Sequence, residues 1–294
     1  MTSTENTRHG DDFFIAYADI AACHKAMEQG RLSALQLVDY MLQRIERWDR
    51  NGPCLRAMLT INPAARELAR KKDRALADKG LTGPLHGIPV VVKDNANTRD
   101  MPTTAGSRSL EGLIPAQNSS AVQRLIDAGA IILGKSNLHE FAQGGMTVSS
   151  LGGQTLNPYD LSRTCGGSSG GSAVALAMDF CTVALGTDTV NSIRSPASAA
   201  NLVGLRPTRG LISRAGWVPV AETQDVVGPM GRTVQDVALV LDALAGYDPA
   251  DPVTAHSIGH MPVSYSGGLD HASLKGRRFG MPASLYGHEA VHQP

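Results

Sequence analysis

The sequence predicts an α/β fold in which a partly parallel sheet is layered between helices, and three observations lead there. Short apolar, β-branched runs such as Ile88-Pro89-Val90-Val91-Val92 have the length and composition of buried strands. Longer segments repeat apolar residues at helical spacing. The two kinds of segment alternate along the chain, which is the pattern of a layered α/β domain.

Taken in order, residues 33–48 place Ala34, Val38, Met41, Ile45 and Trp48 on one helical face behind a Ser33 to Gln36 capping box. A second helix is expected to open at Asn62-Pro63, with Asn as cap and Pro in the first turn, and to close at Gly80. The run 88–92 reads as a strand that ends at Lys93. From Ser120 a helix turns Val122, Leu125 and Ile126 inward and stops at Gly129, after which 130–133 resumes strand character. Residues 172–178 read as helix and 181–185 as strand. Thr233 caps a helix with Val234, Val237, Leu241 and Leu244 on one face and Gly246 beyond it. Residues 247–273, rich in Asp, Pro, Ser, Gly and His, read as a long surface connection, and 274–281 as entry into a further strand. No internal repeat is evident.

With 294 residues and 42% hydrophobic content the chain can bury a sizeable core, and 1–294 is read as a single domain. Its 27 basic and 27 acidic residues balance and form no long block of one sign. That argues against nucleic acid or an anionic membrane as partner and favours a small neutral molecule. Cys23, Cys54, Cys165 and Cys181 are widely spaced, with no C-x-x-C pair, and read as reduced thiols rather than metal or redox groups. The first dozen residues lack a basic start followed by an apolar core, and no uncharged apolar run reaches membrane-spanning length. The expected location is cytoplasmic.

Several motifs fail on context. Gly129 to Ser136 satisfies the phosphate-loop pattern, but a helix precedes Gly129 and the intervening residues are strand-like, whereas a phosphate loop needs the reverse. His139-Glu140 opens like a zinc-protease helix, yet Gln143 stands where the second histidine ligand belongs, so no metal site is expected. Gly166 to Gly170 fits the nucleophile elbow of α/β-hydrolases, with His256 and His260 downstream. The preceding 157–164 stretch is polar and turn-rich where an apolar strand is required. A flexible Gly/Ser linker is also a poor fit, because apolar segments close in on both sides.

What remains is a Gly/Ser run, Gly166-Gly167-Ser168-Ser169-Gly170-Gly171-Ser172, able to fold tightly around a reacting atom. Twenty-four residues after Ser168 comes Ser192, in Thr187-Asp188-Thr189-Val190-Asn191-Ser192-Ile193-Arg194. Lys93, at the end of a buried strand, can lose its proton near neutral pH if desolvation disfavours the ammonium, although a strand-end lysine alone is more often a snorkelling surface residue.

These residues resemble the amidase signature enzymes, serine amidases with a Ser-Ser-Lys triad. The likeness runs from the helix at 33 through Gly204 to Thr208 and on to Gly228-Pro229-Met230. Its blocks are His86 to Pro89 leading to Lys93-Asp94, Gly134 to Asn137 with Glu140-Phe141, Asn157 to Asp160, the Gly166 to Ser172 run, and Gly186 to Asp188 with Ser192 to Arg194. The resemblance implies a mixed, mostly parallel sheet flanked by helices on both faces. It also implies a hydrolase converting a small-molecule carboxylic acid amide to acid plus amine or ammonia, without a cofactor. By the same resemblance Ser192 is the nucleophile, Ser168 the bridging serine following a cis peptide bond, and Lys93 the base. Backbone N–H groups of Thr189, Val190, Asn191 and Ser192 would form the oxyanion hole, and Ser169, Asp188 and Arg194 would hold this loop.

Two departures qualify the expectation. The family carries Gly-Gly before its nucleophile where this chain has Val190-Asn191. A β-branched valine does not tolerate a left-handed backbone, so the hole requires negative φ at 190. Family members also continue well past the equivalent of Leu274 to Gly280, so the chain reads as lacking the C-terminal part of the family domain, and exposed sheet edges would favour a homo-oligomer. Two alternatives stand beside the free amidase. One is an amidotransferase subunit that hydrolyses glutamine for a partner; the other is a catalytically silent homologue.

Overall fold

A computed structural model describes residues 13–280. Helix α1 (Ile20–Glu28) starts at Asp19, whose Oδ1 accepts the Ala22 N–H at 2.7 Å. Helix α2 (Ala34–Arg44) carries the expected capping box: Ser33 Oγ accepts the Gln36 N–H at 3.0 Å, and Gln36 Oε1 accepts the Ser33 N–H at 2.8 Å. The predicted helix to residue 48 finishes differently, as a π-helical turn over Ile45–Arg50. There follow β1 (Met58–Ile61), α3 (Ala65–Lys79), β2 (Pro89–Lys93), α4 (Ser120–Asp127) and β3 (Ile131–Ser136). A small hairpin, β4 (Val148–Ser149) with β5 (Gly153–Gln154), precedes α5 (Gly170–Ala177), β6 (Val183–Asp188) and α6 (Arg194–Ala199). The last elements are β7 (Val203–Gly204), β8 (Val226–Gly231) and α7 (Val234–Leu244).

The main sheet has six strands in the order β1-β3-β2-β6-β8-β7. β2 pairs in parallel with both β3 and β6, and the other three pairings are antiparallel, so β2, β3, β6 and β7 run one way against β1 and β8. This is the expected mixed sheet. β2, β3 and β6 are buried at every position, because strands covered on both faces carry continuous apolar runs. Helix α5 packs against β2, β3, β6 and β8, while α4 packs on β3 and on α7, which in turn covers β8. The register sets Lys93 beside Ser136 and Val92 beside Leu185, so the parallel strands β2 and β6 finish at one edge, where ligands of such sheets bind.

Several expectations shift. The second helix starts at Ala65, not at Asn62-Pro63: Asn62 Oδ1 accepts the Ala64 N–H at 2.9 Å while its Nδ2 donates to the Ile132 carbonyl at 2.8 Å, which ties it to β3. The connection over 247–273 contains two 3-10 turns, Pro252–Ser257 and Ser266–His271, with Asp251, Thr254 and Ser257 buried. No strand forms over 274–280, which are exposed, and Met281 lies outside the described residues. Cys23, Cys165 and Cys181 are buried free thiols. Burial pushes the Cys23 and Cys181 thiols up to about 12 and that of Cys165 to about 11. Among the described residues no helix is long and apolar enough to cross a membrane.

Candidate active site

β2 carries its last residue into the core, so the Lys93 side chain is fully buried. Its Nζ donates to Ser168 Oγ at 2.7 Å and to Thr187 Oγ1 at 2.8 Å. Burial brings its pKa from 10.5 down to about 7, against the opposing pull of Asp188 and Asp225. A lysine at that value supplies a useful fraction of free amine at neutral pH.

The Gly/Ser run is a packed loop. Gly166 has φ +74°, a left-handed conformation that a side chain resists. At Gly171 a Cβ would sit 2.2 Å from the Asn137 carbonyl oxygen, so only glycine fits. The Gly167–Ser168 peptide bond is cis. Thr147, itself buried at φ +55°, closes the loop: its hydroxyl donates to the Gly166 carbonyl at 2.8 Å and accepts the Gly170 N–H at 3.0 Å. Ser169 Oγ donates to the Thr187 carbonyl at 3.1 Å and accepts the Thr187 N–H at 3.3 Å. This fastens the loop to β6.

Ser192 lies in the turn between β6 and α6, which Asp188 organises. The fully buried Asp188 carboxylate accepts the Ile193 N–H at 3.1 Å, Arg194 Nε at 3.1 Å and Arg206 Nη1 at 2.8 Å. Burial opposes its charge, but the Arg194 guanidinium and the Ile193 and Arg194 N–H groups outweigh that and hold its pKa below the usual carboxylate range. Arg194 also donates to the Val190 carbonyl. Neither Val190 nor Asn191 has positive φ, so the backbone condition at 190 is met. Among the described residues the N–H groups of Val190, Asn191 and Ser192 meet no acceptor.

Lys93 and Ser168 are therefore joined directly, whereas Ser168 and Ser192 are not joined through their hydroxyls. Their loops meet through the backbone, with the Ser169 N–H donating to the Ser192 carbonyl at 3.2 Å. Sequence reasoning missed Thr187, the second anchor of Lys93, and Asn95, whose Nδ2 donates to Thr187 Oγ1 at 3.2 Å. It missed Asp225, which takes the Thr189 hydroxyl on one oxygen and the Val220 N–H, at 2.8 Å, on the other. It also missed Arg206 and Thr147 as loop anchors. Lys135, part of the phosphate-loop-like pattern, lies fully buried in β3 and forms an ion pair with Asp94 at 3.0 Å. His139 donates its N–H to the Ser168 carbonyl at 3.0 Å. Beside Thr187 opens a cavity of about 300 Å³ walled by Trp217, Val218, Val220 and Val226.

A buried amine hydrogen-bonded to one serine, with a second serine on a turn of unpaired N–H groups, can run acyl transfer without histidine. Comparison with known proteins bears on the family, not on the roles of these residues. The model of the Amidase family matches residues 36–293. A glutamyl-tRNA(Gln) amidotransferase subunit of Gloeothece citriformis is 49% identical over 235 residues, 80% of this chain and 48% of that protein. The peptide amidase structure from Stenotrophomonas maltophilia aligns with TM-score 0.83 at 46% identity, over 87% of this chain and 54% of that one. An amidase family protein from Bacillus anthracis aligns with TM-score 0.82 at 40% identity, over 86% and 51%. The chain thus spans about half the length of the relatives it matches.

Proposed function

The chain belongs to the amidase family, and from that premise we propose that it carries the hydrolytic centre of an enzyme cleaving carboxylic acid amides at the C–N bond. The observation that carries this reading is the 2.7 Å hydrogen bond between the fully buried Lys93 amine and Ser168 Oγ. Neutral Lys93 takes the proton of Ser168, which takes that of Ser192 as its Oγ attacks the amide carbonyl. The tetrahedral oxyanion rests on N–H groups of the 189–192 turn, each worth roughly 3 kcal/mol when well placed. The relay then returns the proton to the leaving nitrogen, the C–N bond breaks, and water hydrolyses the Ser192 ester to free acid. The retained Lys93–Ser168 bond and the non-positive φ of Val190 support an active site over a silent one.

A fluorophosphonate probe tests the assignment. Covalent labelling is expected at Ser192 in the 294-residue chain and lost in Ser192→Ala, with release of ammonia from simple carboxamides following the same pattern. Labelling elsewhere, or normal turnover in Ser192→Ala or Lys93→Ala, overturns it. The amidotransferase relatives favour a second reading, glutamine hydrolysis with ammonia passed to a partner protein. Glutaminase activity that appears only when such a partner is added separates it from a free amidase.

A further inference from the structure

A second cavity lies on the other side of β3 from the α5 contact. It opens between α3, α4 and β3 beside the loop at 98–101, with a volume of about 330 Å³. One part of its wall is apolar, with Leu68 and Ala75 from α3, Met101 from the loop, Val122 and Ile126 from α4, and Ile132 from β3, and the rest is polar or charged. The polar groups of the wall are committed elsewhere. Asn62 Nδ2 donates to the Ile132 carbonyl at 2.8 Å, Thr98 Oγ1 to the Met101 carbonyl at 3.1 Å, and Asn118 Oδ1 accepts the Arg99 N–H at 2.9 Å.

The cations lining it are not equivalent. Lys71 is paired with Glu67 at 2.7 Å, and Arg99 faces Asp100 at 3.6 Å. Lys72, half-buried on the same wall, has no hydrogen bond or ion pair for its ammonium among the described residues. Burial lowers its pKa, with no carboxylate acting on it to restore the charged form. A partly desolvated cation without a counter-ion beside apolar wall is an arrangement that an anion improves.

We propose that this cavity binds a small amphiphilic monocarboxylate, with its apolar body between α3 and α4 and its carboxylate on Lys72. The apolar part of the wall selects the body and Lys72 selects the charge, while the one carboxylate among the lining residues, Asp100, is exposed and faces Arg99. At the rim Arg99 faces Asp100 at 3.6 Å and offsets that carboxylate's repulsion of an anion. The site is separate from Lys93, Ser168 and Ser192, none of which lines it.

The test is titration of the chain with octanoate, followed by calorimetry and by backbone amide shifts. Saturable binding is expected, with shifts centred on α3, α4 and β3. Lys72→Met should weaken it by about tenfold or more, and uncharged octanol should bind at least about tenfold more weakly than octanoate. Ala75→Phe should fill the cavity and abolish binding while Ser192 still labels with fluorophosphonate; if that variant unfolds, Lys72→Met and octanol decide alone. Absence of octanoate binding, equal affinity in Lys72→Met, or equal affinity for octanol overturns the proposal.

Discussion

Lys93 Nζ donates to Thr187 Oγ1 at 2.8 Å, so the buried lysine is held from β6 as well as from the glycine-serine loop. The amine thereby bridges the two segments that carry Ser168 and Ser192. Its orientation is set by strand geometry, not by the loop alone.

With Lys93 brought by burial to about 7, amide turnover should rise with pH along one ionisation near that value. The folded pKa lies below the unfolded value of 10.5, so the unfolded chain binds the extra proton between the two, and stability from this group rises with pH from about 7 to 10.5. Lys93→Met should abolish turnover and flatten that slope. Denaturant titrations at several pH values in this window read it; superimposable slopes for wild type and variant would contradict the burial argument.

Thr147 clamps the loop through the Gly166 carbonyl and the Gly170 N–H. Thr147→Val keeps the shape but leaves the Gly170 N–H buried and unpaired and the Gly166 carbonyl with the Cys165 thiol at 3.4 Å as its remaining donor, which should cost about 1–3 kcal/mol of stability and slow fluorophosphonate labelling of Ser192. Thr147→Ser, which keeps the hydroxyl, should retain most of both. Equal losses in the two variants would assign the role to packing rather than to the hydrogen bonds.

Asp188 is fully buried against Arg194 and Arg206, so Asp188→Asn should destabilise the chain by about 3 kcal/mol at pH 7. The folded pKa is depressed, so the stabilisation is present above the unfolded value of 3.8 and is lost as pH falls through the lower folded value. Wild type and variant should therefore converge in acid. A difference that persists unchanged below that range speaks against the charge pairing.

Val190 is 72% exposed on the turn before Ser192. Val190→Ala should change stability by less than about 0.5 kcal/mol, because the side chain is barely packed. It should shift the relative turnover of bulky against small acyl groups. A stability loss above about 1–2 kcal/mol, with unchanged acyl preference, would place the side chain in a structural role instead.

Much of the site was legible because strands and loops of this kind constrain composition. The β2 run is apolar since both faces are covered, so the charged Lys93 at its end stood out. Gly166 and Gly171 were visible because a left-handed turn and a close backbone approach admit little else. β8 was not legible as a strand: Gly228, Pro229 and Gly231 read as breakers, yet Pro229 pairs with Leu185 and its carbonyl accepts the Leu205 N–H at 3.0 Å. β1 was too short for a pattern of its own, and its pairing with β3 decides its conformation.

The amino-acid order by itself determined the alternation of strands and helices, the place of Lys93 at the end of a buried strand, and the glycines that let the 166–172 loop pack, since each follows from local periodicity or from the absence of a side chain. Only the tertiary structure decided that Thr187 and Asn95 reach the lysine site, that Thr147 closes the loop, that Asp188 gathers two arginines, and that Val190 escapes positive φ. Those relations join residues far apart in sequence or depend on how a turn is held, and a distance across the sheet is set by register and packing, which no local pattern encodes.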